Sequence, residues 1–383
     1  MPIPSRTSDI TDAAQMTSVV AGLTGRREFC VDVEADAMHH FKASLCFVQV
    51  GTDEDIFLID TLSVKKGLTA LAPVLGDKSV TKFFHAASGD LQYLAEAGIR
   101  VQGLFDTHRA ATLLGWPKVG LADLVQQYCQ QTLKKEHQQS DFSIRPLPAA
   151  MRDYIADDVR YLTDIGRLVQ KACRDADILE EVMLDCDRMC DEATERPDVA
   201  EDYQVKISKG NSTSYSPYLA QLIGLELHKL RLKWAEQADV PMGRMLSNAA
   251  ISAIATQLPM TDRELAKMEG VRGGFVRQYG EEVLALVRKF DEMQKKGTLP
   301  QPPKKAAVDP KIRKREESLL SFRKETATER KVTPSVVMPN SLIADLAVAA
   351  PDSLEKLQAV KYFGKKRMDL YGDSVVSIMR QHA

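Results

Sequence analysis

Apolar and polar residues alternate over short segments early in the chain, and apolar residues recur at helical spacing later. EFCVDVE (28–34), SLCFVQV (44–50) and DIFLID (55–60) are rich in β-branched and aromatic residues and separated by polar breaks, so they predict three successive strands. KGLTALAPVL predicts a helix, VTKFF a strand, and SGDLQYLAEAG a helix ended by Gly98. A short strand at 100–104 then leads into a helix at 106–114. From Pro148 the spacing is helical. PAAMRDYIADDVRYLTDIGRLVQKA predicts one long amphipathic helix with Met151, Tyr154, Ile155, Val159, Leu162, Ile165 and Leu168 on a broad apolar face. The pattern is mixed α/β, strands early and helices late.

The second half contains an internal repeat. Residues 230–288 and 322–380 align without a gap at an offset of 92, with 12 identities in 59 positions. Arg231/Arg323, Asn248/Asn340, Ile251/Ile343, Leu265/Leu357 and Tyr279/Tyr371 are among them. Each copy predicts several short helices. Turn-rich residues precede the first copy, and the Pro- and Lys-rich segment GTLPQPPKKAAVDP joins the two. The expected organisation is an α/β domain at 1–195, a linker at 196–215, a helical domain at 216–297, a linker at 298–310 and a second helical domain at 311–383.

Composition adds three points. No apolar run approaches the roughly 20 residues of a membrane helix, and no apolar stretch follows Arg6, so neither a membrane span nor a signal peptide is expected and the location implied is cytoplasmic. Six cysteines without a CxxC pair read as reduced, mostly buried thiols. The net charge of −2 is unevenly divided: residues 1–200 carry 21 basic and 31 acidic side chains, residues 201–383 carry 30 and 22. An acidic half suits metal cations and a basic half suits phosphate.

Three places offer chemistry. Asp32 and Glu34 share one face of a strand while Val31 and Val33 take the other. Two carboxylates so placed, about 6 Å apart, repel by roughly 3 kcal/mol at an effective dielectric near 20, and a cation removes that cost. Asp90 opens a helix, where taken alone it reads first as an N-cap or first-turn acid. Tyr154 and Asp158 are spaced i, i+4 and stack on one helix face.

Taken singly each has an ordinary structural reading. Their order and spacing resemble the DEDD exonuclease superfamily in its tyrosine subtype. VDVE, FFHAASGDLQYL, FDTHRAATLLG and SDFSIRPLPAAMRDYIADDVRYL resemble the corresponding segments of the ribonuclease D family, over residues 25–175. Val33 stands where that family has Thr, and Phe142 where it usually has Trp. The two repeats resemble HRDC domains.

The resemblance implies a ribonuclease H-like mixed sheet flanked by helices, followed by two small all-α HRDC-like domains. It implies a 3′-5′ exoribonuclease that releases nucleoside 5′-monophosphates from RNA with a free 3′ end, transfer RNA precursors in particular. It also implies two divalent ions, Mg²⁺ or Mn²⁺, held by oxygen ligands. Asp32 would bridge both ions, Glu34 and Asp158 would complete the coordination of the first ion, Asp90 would support the second ion through water, and Tyr154 would orient the attacking water on the first. His85, Phe142, Arg145, Arg313, Arg315, Lys365 and Lys366 are the candidates for contact with substrate. His85 reads equally as a turn histidine and Arg145 as the partner of an acid. No membrane and no obligate protein partner is expected. A DNA exonuclease of the same superfamily and a catalytically silent nucleic-acid-binding module are the competing readings, because no residue reports on the 2′-hydroxyl.

Overall fold

A computed structural model describes residue 4 and residues 6–134, 136–193, 217–301 and 309–382. The linker expected at 196–215 lies outside these residues, as does most of the one expected at 298–310.

Six strands form one mixed sheet: β1 (Arg6–Ile10), β2 (Glu28–Ala35), β3 (Leu45–Gly51), β4 (Asp55–Asp60), β5 (Thr81–Phe84) and β6 (Leu104–Asp106), in the order β1-β4-β3-β2-β5-β6. β2, β3 and β4 are the three successive strands expected and form an antiparallel meander, and β1, β5 and β6 join in parallel. β1 and the helix α1 (Met16–Leu23) after it were not legible in the sequence, since RTSDI is a largely exposed edge strand with one buried residue. The helix expected from KGLTALAPVL is three short helical turns over 61–75.

Helices α2 (Ser88–Glu96), α3 (Thr107–Leu113), α4 (Leu121–Cys129), α5 (Ala149–Arg160), α6 (Leu162–Asp175) and α7 (Leu179–Glu192) complete the α/β part. The single long helix expected from Pro148 is two, α5 and α6, because Tyr161 leaves helical geometry at φ −112. The break lets α5 cover β2, β3 and β4 while α6 turns to β2 and β5. Gly166 permits that turn: a Cβ there would lie 2.3 Å from the Phe83 ring. Five of the six cysteines are buried, and none is in a disulfide.

Each repeat folds as five helices at the offset of 92. The first has α8 (Pro217–Ala238), α9 (Met242–Met245), α10 (Asn248–Gln257), α11 (Asp262–Leu265) and α12 (Gly273–Lys295). The second has α13 (Pro310–Arg330), α14 (Pro334–Val337), α15 (Asn340–Ala349), α16 (Leu354–Gln358) and α17 (Lys365–Gln381). The chain divides into two compact units: one holds the sheet domain together with the second repeat, the other holds the first repeat with residues 36–44. Among the described residues no helix is long and apolar enough to cross a membrane.

Candidate active site

Alternation on β2 decides where its acids point. Cys30 Sγ lies 3.2 Å from the Val159 carbonyl of α5 and 3.4 Å from the Gly51 carbonyl, so the even positions of β2 face α5. Asp32 and Glu34, two and four residues on, share that face, both half-buried. Gly51 makes the approach possible, because a Cβ there would stand 2.6 Å from Cys30 Sγ and 2.9 Å from the Val159 carbonyl. One turn of α5 carries Tyr154 and Asp158 to the same place. Carboxylate oxygens of Asp32, Glu34 and Asp158 lie within 4.8 Å of one another, a group able to hold a metal ion.

Asp90 comes from the first turn of α2, where its charge acts on Glu34 and it feels the charge of Asp32. Burial raises all four carboxyls, and neighbouring acids add to the rise at Glu34, Asp90 and Asp158. Burial pushes Asp32 up to about 7. Burial and the Asp32 charge, with a smaller effect of Asp157, push Asp158 up to about 8. Glu34 rises to about 10 through burial and then the charges of Asp32, Asp158 and Asp90. Asp90 is raised well above the ordinary value by burial, then by Asp32 and Asp106. A site this short of positive charge fits a hard divalent cation with oxygen ligands. The Tyr154 hydroxyl is also raised, by burial and then by Asp158, Glu34 and Asp32, which leaves it a protonated donor beside the carboxylates.

The surroundings hold these groups in place. Asp106 accepts from the Ala86 and Ala87 amides at 3.1 and 2.8 Å and from the Arg109 amide at 3.0 Å, so one buried carboxylate caps α3 and ties down the turn that leads to Asp90. Ala86 sits in the left-handed region at φ 62 within that turn. The Thr107 hydroxyl donates to the Phe84 carbonyl at 2.9 Å, so at 2.8 Å it accepts from His85 Nδ1–H. His85 is held near 4 by burial and His108, against the opposing pull of Asp106, so its neutral ring keeps Nε2 as an acceptor. Tyr154 is backed by Phe142 at a centroid distance of 6.2 Å and met edge-on by His137 at 5.9 Å. His137 was not singled out in the sequence; it lies between polar residues without periodicity, and only the fold brings it to Tyr154.

Several candidates for substrate contact take other positions. Phe142 is 1% exposed and lies behind Tyr154, so it offers no stacking surface to a base. Arg145 forms a bidentate pair with Asp60 at 2.7 Å and bonds the carbonyls of Cys46, Phe142 and Ile144, which engages its guanidinium within the fold. Arg315, expected on an exposed basic face, is 8% exposed and donates to the Ala347 and His382 carbonyls. Lys366 is drawn onto the sheet domain, to the Asp177 carboxylate at 2.9 Å and Glu181 at 3.4 Å. Arg313 and Lys365 stay exposed and pair along their own helices with Glu317 and Asp369.

A sequence model of the 3′-5′ exonuclease family matches residues 8–172, and one of the HRDC domain matches residues 225–287 and 313–379. Ribonuclease D of Gluconacetobacter diazotrophicus is 31% identical over 268 residues, 70% of this chain and 67% of that protein. Exosome complex component 10 of Rattus norvegicus is 29% identical over 278 residues, 71% of this chain but 31% of its own length. The chain thus spans less than a third of that exosome relative. The crystal structure of Escherichia coli RNase D, described as an exoribonuclease involved in structured RNA processing, shares the fold with a TM-score of 0.68 at 23% identity, over 98% of this chain and 99% of that one. The six-stranded mixed sheet with its helices is accordingly the ribonuclease H-like exonuclease fold, with helical HRDC repeats behind it. With the exonuclease and HRDC matches in this order, and a bacterial relative matched over two thirds of its length, the chain belongs to the ribonuclease D family of 3′-5′ exoribonucleases.

Proposed function

We propose that this chain trims RNA from free 3′ ends, transfer RNA precursors among them, by metal-dependent hydrolysis that releases nucleoside 5′-monophosphates. The observation that carries the reading is the convergence of Asp32, Glu34, Asp90 and Asp158 with the Tyr154 hydroxyl. Asp32, Glu34 and Asp158 would hold one divalent ion and Asp32 with Asp90 a second. Mg²⁺ or Mn²⁺ bound there supplies the charge that makes water nucleophilic near neutral pH and stabilises the leaving oxygen.

The chain's own groups supply positioning. Tyr154 stays protonated, so its hydroxyl orients the attacking water by donating or accepting a hydrogen bond. Phe142 and His137 fix the plane of the ring, and Asp106 holds the turn from which Asp90 projects. His85 Nε2, left as an acceptor, is suited to receive a ribose hydroxyl.

The test is hydrolysis of matched RNA and DNA strands and of a transfer RNA precursor with a 3′ extension. The expected result is stepwise release of 5′-monophosphates from both RNAs, faster than from DNA. Equal or faster degradation of DNA would contradict the choice of RNA.

A further inference from the structure

Gln49 is the fifth of the seven residues of β3, one of the two central strands, and has no solvent exposure. Neither its Nε2 nor its Oε1 has a hydrogen-bond partner among the described residues. An apolar side chain would fill the same space without leaving an amide unpaired, so a buried glutamine here points to a partner it meets in another state.

The register identifies that partner. Gln49 stands directly opposite Asp32 on β2 and opposite Leu58 on β4. Directly opposed residues of antiparallel strands project to the same face with Cβ atoms about 4.5–5.5 Å apart. Its neighbours in alternation confirm the face: Phe47 lies under the Arg145 guanidinium and Gly51 packs against Val159 of α5. Gln49 therefore points into the layer between sheet and α5 that holds Asp32, Glu34 and Asp158. The hydrogen bond that favours ionised Asp32 comes from the Val33 amide, which leaves acceptor capacity on the same carboxylate.

We infer that Gln49 is a positioning residue that donates its Nε2–H to the Asp32 carboxylate when a divalent cation is bound there. This inference rests on the metal-site reading above. The glutamine fixes the carboxylate's orientation from behind, as outer partners do for metal ligands. The same buried amide is unpaired in the metal-free protein, so it trades stability of that form for affinity.

The experiment compares wild type, Gln49→Met and Gln49→Asn by Mn²⁺ titration, read by electron paramagnetic resonance, and by melting in chelator. Met removes the amide at similar volume; Asn keeps it but shortens its reach. Gln49→Met is expected to melt higher than wild type without metal and to bind Mn²⁺ about tenfold more weakly. Gln49→Asn is expected to bind Mn²⁺ more weakly with no gain in melting temperature. Mn²⁺ affinity of Gln49→Met within about twofold of wild type overturns the inference while leaving the metal site intact. A wild-type protein that binds no Mn²⁺ overturns the metal-site reading itself. If neither variant folds, the Gln49 side-chain amide resonance of ¹⁵N-labelled wild type replaces them: a shift on adding Mg²⁺ supports the inference, and an unmoved resonance overturns it.

Discussion

At the scale of the residue, four acids share a buried site in which their charges are costly until a cation offsets them. In metal-free protein Asp32 and Asp158 hold protons more tightly folded than unfolded. Their contribution to stability is therefore complete below the unfolded value near 4 and is lost as pH rises through about 7 and about 8. Melting of chelator-treated protein should fall between about pH 4 and 8, and Mg²⁺ or Mn²⁺ should flatten the fall. Asp158→Asn removes one of the charges, so it should raise the melting temperature at pH 8 in chelator while reducing turnover by about a thousandfold or more. A chelated wild type whose stability does not change with pH would contradict the electrostatic picture. Asp32 and Glu34 were legible because a strand sends alternate residues to one face, and Tyr154 with Asp158 because four residues make about one helical turn. Gln49 and His137 were not legible, since their roles depend on register and on a loop.

At the scale of the element, the site depends on how α5 and the loop before it meet the sheet. Arg145 ties that loop to β4 through Asp60 and holds the Phe142 carbonyl, so Phe142 stays behind Tyr154. Burial would raise the Asp60 carboxyl, but hydrogen bonds from Arg145 and Ser63 hold it below its ordinary value. Arg145→Met leaves a buried carboxylate without its partner and should cost about 3 kcal/mol in urea unfolding at pH 7. A depressed carboxyl gives stability above its unfolded value and loses it as pH falls through the folded one, so the gap between wild type and variant should narrow below about pH 4. A gap that stays constant to pH 3 would exclude the pair as its source.

The repeats show the same limit of legibility. In the sequence Arg231 and Arg323 are only a matched pair of basic residues. Each bonds within its own repeat, to Asn248 and the Leu246 carbonyl, and to Asn340 and the Met338 carbonyl. Three left-handed residues also recur at the offset: Asp239 and Lys331, Leu258 and Ala350, Gly270 and Tyr362. The residue types differ in every pair, so the shared backbone conformation left no mark in the sequence. Phe275 of the first repeat is replaced by the buried Arg367 of the second, which bonds the carbonyls of Val336, Val337 and Tyr362.

At the scale of the molecule, the uneven charge along the chain serves an intramolecular contact as well as any nucleic acid. The second repeat meets the acidic helix α7: Lys366 and Arg330 face the buried Glu181 at 3.4 and 3.7 Å, and Lys361 bonds Asp191 at 2.6 Å. Nearby, the Thr333 hydroxyl donates to the Leu113 carbonyl at 2.9 Å. Part of the basic excess of residues 201–383 is thus engaged against the sheet domain, which a count of charges could not reveal. Lys366→Met should weaken this docking by about 1–3 kcal/mol, because Glu181 loses its nearer cation. Hydrogen exchange of the α7 and α17 amides should accelerate together, while that of the first repeat stays unchanged. Acceleration confined to α17 would mean that Lys366 does not couple the two.

The most direct measurement follows one RNA strand labelled at its 3′ end or at its 5′ end, with Mg²⁺ or with chelator, for wild type and Asp32→Asn. The expected result is immediate release of the 3′ label as a mononucleotide, shortening of the 5′-labelled strand one nucleotide at a time, and neither event in chelator or with Asp32→Asn. Release that survives chelation or the Asp32 substitution, or that begins at the 5′ end, would contradict a metal-dependent 3′-5′ site built on these carboxylates.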